Sequence, residues 1–268
     1  MLGSMLEAWL SNTSQLVLGA VLLTASVMAL LLGASMRKRR GAPASDDVGN
    51  FVLSSVLGLL ALLLGFTFSL ATERFEARRV LVLSEANAID TAYLRTQLLE
   101  EPYRSRISDT LLRYTRNRIA FAQAPPDQVP ARAAASDRLI DEFWAGTAAA
   151  FPSIKNFDFS STYVEAANNV IELDQARKAA RLSKVPAQVF LVLFIYVIVS
   201  AGVLGIAAPS RQSLWFGVLF LLLLTLSLLL IVDIDRPTRG LINESQGPME
   251  RLLVRLEHRE QARLSHGH

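Results

Sequence analysis

The sequence predicts an all-α polytopic membrane protein with four transmembrane helices and a helical-bundle soluble domain between the second and third. Three observations carry this reading. Four uninterrupted apolar segments stand out in a chain of 268 residues that is 51% hydrophobic, a pattern of the membrane class. The one long polar region, 72–185, shows apolar residues at helical spacing with prolines as punctuation. No stretch alternates with period two, so no sheet is expected.

Composition also excludes chemistry. The chain has no cysteine, so it forms no disulfide, thiolate nucleophile or zinc–thiolate site. The net charge of +3 is small, and the arginines gather near the membrane boundaries, so nucleic acid is not an expected partner. Phosphate loops, GxSxG and HExxH are missing from the sequence. No enzyme, catalytic residue, metal or cofactor is expected.

In order, segment 1–71 holds an N-terminal tail and two spans, at about 16–36 and 51–71. The tail has no Lys or Arg before Gln15, so it lacks the basic region of a secretory signal. Arg37, Lys38, Arg39 and Arg40 close the first span and argue that this end stays in the cytoplasm, which with four spans places the N-terminus and the soluble domain outside, the side the first helix favours. Against that topology stand Arg74, Arg78, Arg79, Arg177, Lys178, Arg181 and Lys184, at the membrane ends of the soluble region.

The second span, FVLSSVLGLLALLLGFTFSLA, is about 30 Å long as a helix. It continues without proline or glycine into TERFEARRVLVLSEANAIDTAYLRTQLL, which predicts one helix leaving the bilayer as the first wall of the domain. Helix two follows from Pro102 and carries Ile107, Leu111, Tyr114 and Ile119 inward. Helix three spans about 131–151, presents Leu139, Ile140, Phe143 and Trp144, and ends at Pro152. Phe157 and Phe159 are expected to plug the next loop. Helix four starts near Thr162 with a Thr162–Glu165 capping box.

Segment 186–234 holds the third and fourth spans, at about 186–208 and 214–233, with Trp215 and Phe216 in interface positions. Segment 235–268 is an Arg-Pro corner followed by an amphipathic tail marked by Met249, Leu252, Leu253, Leu256 and Leu264. The three histidines, His258, His266 and His268, all lie in that tail and are expected to be solvated.

Two groups of residues stand out as candidate sites. Ser54, Gly58, Ala61, Gly65, Ser69 and Thr72 recur at steps of three and four and share one face of the second span. Opposite lie Val56, Leu59, Leu60 and Leu63, read as facing lipid. Small residues let helices pack closely in a bilayer; the alternative is a wet, pore-lining face. Weaker small faces occur at Ala25, Ala29 and Gly33 and at Ala201 and Gly205. No span carries a central charge, which would mark an ion relay or voltage sensor at a cost of roughly 2.5–3.5 kcal/mol. The second group is the corner Asp235, Arg236, Pro237, Arg239 and Gly240. It reads as a rigid turn in which Asp235 pairs an arginine, or as a gate or anion contact. Within the soluble region, Glu85, Asn87 and Asp90 need partners, expected among the arginines of helices two and four. Glu165 and Glu172 share a face but lack the histidine spacing of a di-iron site.

Three stretches, LLGFTFSLATERFEARR, EANAIDTAYLRTQLLEEPYRSRI and DIDRPTRGLINESQGPM, resemble a bacterial bestrophin-like membrane family, a domain family of unknown function. The resemblance covers 51–249. Bestrophins proper are oligomeric anion channels whose pore is lined by the second membrane helix and its cytoplasmic continuation. The resemblance therefore implies a homo-oligomer in the bacterial inner membrane, with the lipid bilayer and anions as partners and the soluble domain in the cytoplasm. The alternative is a non-conducting membrane scaffold or sensor whose soluble domain binds a partner.

Overall fold

The computed structural model describes residues 13–40, 47–125, 127–236 and 242–266, and these hold eight helices: α1 (Gln15–Arg40), α2 (Asp47–Thr96), α3 (Tyr103–Ala122), α4 (Val129–Ile154), α5 (Ser160–Leu182), α6 (Ala187–Ala207), α7 (Arg211–Asp235) and α8 (Gly247–His266). Four of them contain segments long and apolar enough to cross a membrane. As the absence of proline and glycine beyond Gly65 predicts, α2 is unbroken over 50 residues. The chain divides into two compact units, one of residues 1–75 with 184–243 and the other of 76–183 with 244–268. The C-terminal helix thus belongs to the second unit.

In the first unit, α1 and α6 come together at their glycines. A Cβ on Gly33 would overlap the carbonyl oxygen of Gly202, and one on Gly205 would overlap that of Leu30. This is backbone-to-backbone packing of the kind small residues permit in lipid, and it accounts for the small faces of the first and third spans. Leu22, Leu30, Leu60, Leu193, Val197, Leu221 and Leu228 fill the core between the spans. A second cluster around Leu18, Ala71, Val185, Phe190 and Ile231 seals one end. Pro186 precedes the first residue of α6, and Ser210 caps α7 by accepting from the Ser213 N–H at 3.2 Å.

The second unit is a helical bundle with a continuous core. Ile89, Tyr93, Ile107, Leu111, Tyr114, Phe143, Tyr163 and Val170 are buried in it, and Met249, Leu252 and Leu256 of α8 join them with no exposed surface. Leu253 packs at the edge of this core; the Leu264 side chain lies outside the described residues. Charged contacts fasten α8 along its flank. Arg255 and Arg259 pair with Asp90, Arg116 pairs with Glu257 at 2.8 Å, and Tyr93 donates to Glu260 at 2.7 Å.

Four expectations about this bundle are corrected. Pro152 does not end α4, which runs on to Ile154, whose buried side chain anchors the last turn in the core. There is no Thr162–Glu165 box: α5 begins at Ser160 with Phe159 at the cap position and no side-chain cap bond. The Thr162 hydroxyl instead donates to the Phe159 carbonyl at 2.9 Å, and Glu165 is exposed. Phe157 plugs nothing; it is 58% exposed and stacks on Phe159, which does reach the core. Trp144 is 42% exposed, because the Ile140–Phe143 side of α4 already fills the bundle.

Candidate functional site

The second span differs from the other three in how little of it the chain covers. Only 11% of its most apolar window is buried, against 33% for each of the others. Contact with the rest of the unit is confined to one face, where Leu60, Thr67 and Ala71 are buried and Leu63 and Leu64 pack against the core. Thr67 satisfies its hydroxyl within the helix, donating to the Leu63 carbonyl at 2.8 Å. This corrects the lipid-facing reading of the leucines: Leu60 and Leu63 belong to the protein's interior.

The small residues lie elsewhere. Ser54, Gly58, Ala61, Gly65 and Ser69 are exposed and Thr72 is half-buried. A Cβ on Gly58 or Gly65 would meet nothing within 4 Å, unlike one on Gly33 or Gly205. A helix turns about 100° per residue, so the centre of this stripe lies roughly 130° from the buried face. Leu59, Leu62 and Phe66 are also exposed, at 45%, 53% and 65%, and they centre on a third direction about 100° beyond the stripe. The helix therefore has one face for its own subunit, one apolar face of lipid character, and one small, hydroxyl-bearing face that the described residues leave uncovered from Ser54 to Ser69.

The corner after α7 is built from buried carboxylates. Asp233 and Asp235 are 4% and 6% exposed. Asp233 accepts from the Gln15 amide and from the Ile242 N–H at 2.9 Å, and Asp235 accepts from the Val185 N–H at 2.9 Å. Arg236 donates to the Thr13 carbonyl at 2.9 Å. These bonds draw the starts of α1 and α6 to the end of α7, and they bring in Asp233, which is not among the candidate corner residues. Pro237, Arg239 and Gly240 lie outside the described residues.

Farther along α2, Glu85 is the hub of a buried charge cluster. It accepts from Tyr114 at 2.6 Å and pairs with Arg118 at 3.2 Å and with Arg177. Asp174 lies 2.9 Å from the same Tyr114 hydroxyl, whose single proton the two carboxylates share, and pairs with Lys178. Burial pushes the Glu85 carboxyl up, but Arg118, Arg177 and the Tyr114 hydrogen bond outweigh it and hold the group below its ordinary value. Burial and the same carboxylates push the Tyr114 phenol well up, so it stays a donor. The expected arginines of helices two and four are therefore the partners of Glu85. Those of Asp90 come instead from α8, and Asn87 is exposed. Glu165 and Glu172 are exposed as well, and among the described residues no group of His, Asp and Glu could hold a metal ion. His258 is exposed; the side chain of His266 and all of His268 lie outside the described residues.

Comparison with known proteins agrees with this architecture. The family model for the Bestrophin-like domain matches residues 18–248. Crystal structures of a bacterial bestrophin homologue from Klebsiella pneumoniae share the fold. A Trp-to-Ala variant of it gives a TM-score of 0.68 at 15% identity, covering 92% of this chain and 97% of that one. A Tyr-to-Ala variant gives 0.66 at 15% identity, covering 89% and 96%. A further structure of the homologue gives 0.64 at 16% identity, covering 89% and 94%. No curated protein matches the chain.

Proposed function

Because the chain belongs to the bestrophin-like family, we propose that it is an oligomeric ion channel of the bacterial inner membrane, anions being the first candidates for passage. In this reading the face of Ser54, Gly58, Ala61, Gly65, Ser69 and Thr72 surrounds the conduction axis. The observation that carries it is the contrast among glycines: Gly33 and Gly205 are closed by neighbouring backbone, while Gly58 and Gly65 face open space in the single chain. Copies arranged around an axis would bring such faces together, with serine hydroxyls and exposed backbone to replace water around a passing ion. The described part of the span holds no charged residue from Phe51 to Thr72, which suits passive conduction better than coupling to a proton.

The missing cysteines make the test direct. Single-cysteine variants at positions 54, 58, 65 and 69, reconstituted in liposomes, should react with a membrane-impermeant thiol reagent at helical period, and the modification should reduce chloride flux. Protection of all four positions, or a purified oligomer that passes no ion, would overturn the proposal. A cysteine in the exposed turn at Phe157, labelled in intact cells, tests which side the bundle occupies.

The scaffold reading has one observation in its favour. Leu94 on α2, Leu98 in the turn after it and Phe151 on α4 expose 48%, 62% and 42% of their surface, apolar surface of the kind a partner covers. It predicts that replacing Gly65 by Leu weakens assembly while the wild type shows no conductance.

A further inference from the structure

The end of α1, the turn after α6 and the start of α7 border an open cavity of about 300 Å³, whose lining includes Ala34, Arg37, Lys38, Ser210, Arg211 and Leu214. We propose that this cavity binds the headgroup of an anionic phospholipid. Its position follows from the helices that form it. Arg37 and Lys38 come immediately after the apolar run of the first span, and Arg211 opens the fourth, so the cavity sits at the depth of lipid headgroups. Three cationic side chains, Arg37, Lys38 and Arg211, line it, and no carboxylate is found among the described residues of its walls. A basic pocket between membrane helices is the arrangement that holds phosphate-bearing headgroups. Arg37 is oriented there by its donation to the Ile206 carbonyl at 2.9 Å, and it is half-buried, whereas Lys38 and Arg211 are exposed.

A second, independent feature points to a lipid and not to a free anion. Directly toward the bilayer from these cations, both helices present uncovered apolar surface. Counting about 100° per residue from the lining side chains, these are Leu31 on α1, at 53% exposure, and Trp215 and Leu222 on α7, at 75% and 40%. A phosphodiester in the basic cavity would lay its acyl chains along that surface. An indole beside it suits the interface, since tryptophan combines an apolar body with a polar N–H. Ser210 contributes to the geometry by capping α7, which keeps the positive end of that helix turned to the cavity.

The experiment uses the full-length protein purified in mild detergent, with native mass spectrometry in the presence of phosphatidylglycerol or phosphatidylcholine. Phosphatidylglycerol should be retained at a defined stoichiometry per subunit and phosphatidylcholine should not. Neutralising Lys38 and Arg211 together (Lys38→Gln, Arg211→Gln) should weaken phosphatidylglycerol retention about 25-fold, at about fivefold per cation. The charge-keeping pair Lys38→Arg and Arg211→Lys should retain it. Both variants replace exposed residues, and helicity by circular dichroism confirms that each is folded. Equal retention of the two lipids, or unchanged retention in the double Gln variant, overturns the proposal. So does displacement of the lipid by millimolar inorganic phosphate, which would make the cavity a site for a free anion.

Discussion

Alanine substitution at four glycines should give opposite signs within one membrane unit. At Gly33 the new methyl meets the Gly202 carbonyl oxygen, and at Gly205 it meets that of Leu30. Both obstacles are helix backbone, which cannot swing aside like a side chain, so α1 and α6 must move apart. Overpacking of this kind costs about 1–3 kcal/mol, and a backbone obstacle places it towards the upper end. At Gly58 and Gly65 a methyl meets nothing within 4 Å, and alanine relieves the helix penalty of glycine, a gain of up to about 1 kcal/mol. The two pairs should therefore differ by roughly 3 kcal/mol, with wild type between them. For a chain of this size that is a separation of several degrees in unfolding temperature. Tryptophan fluorescence during heating in detergent would measure it, with the oligomeric state of each variant checked beforehand. If Gly58→Ala and Gly65→Ala destabilise as much as Gly33→Ala, the small face is packed against another helix and the axis-facing argument fails. If all four are neutral, the close approach of α1 and α6 is refuted instead.

Other consequences concern the second unit. Replacing Glu85 by Gln leaves Arg118 and Arg177 buried without their shared countercharge and should cost about 3–5 kcal/mol in thermal unfolding. Replacing Glu76 by Gln, in an exposed pair with Arg79, should cost at most about 1 kcal/mol. Because the Glu85 carboxyl is held below its ordinary value of 4.5 in the fold, its contribution is complete above that value and is lost as the pH falls below it. Wild type should therefore lose stability in acid more steeply than Glu85→Gln, and parallel acid titrations with equal slopes would contradict this. On α8, Leu252→Ala removes a side chain with no exposed surface and should cost about 2–5 kcal/mol at any salt concentration. Asp90→Asn should cost at most about 1 kcal/mol, an effect that fades in 1 M salt. Helicity and melting measured at two ionic strengths separate the two contributions.

What could be read from the sequence depended on whether a signal is local. The unbroken 50-residue α2 was legible because helix propensity and the absence of proline act along the chain. The stripe of Met249, Leu252 and Leu256 was legible for the same reason. Glu85 could be assigned buried arginine partners because a carboxylate beside Ala86 and Ile89 on an apolar face must be neutralised. Asp90 lies five residues on and needs partners too, but its arginines come from α8, more than 160 positions away, and no periodicity marks that pairing. The start of α5 was misplaced because Thr162 and Glu165 carry a capping pattern that competes with the stacked Phe157–Phe159 turn. Tertiary packing of Phe159 decided between them.

The second span shows where pattern reasoning loses resolution. Leucine is equally at home in lipid and in a helix interface, so hydrophobicity divides the helix into only two parts, leucine and small. Three directions emerge once its neighbours are in place, because Leu60 and Leu59 are adjacent in sequence yet about 100° apart around the axis. One is 1% exposed and the other 45%. The distinction bears on function. A helix with only two faces could bury its small residues against its own subunit and leave its leucines to lipid. Here the subunit takes Leu60, Thr67 and Ala71, and Leu59, Leu62 and Phe66 suit the bilayer. Among the described residues nothing meets the face of Gly58 and Gly65, and in the proposed channel its occupant is a second copy of the chain or water. Those two occupants respond oppositely to an added methyl, so Gly65→Ala distinguishes them: packing against a copy loses stability, whereas a wet face keeps it and narrows the path of an ion.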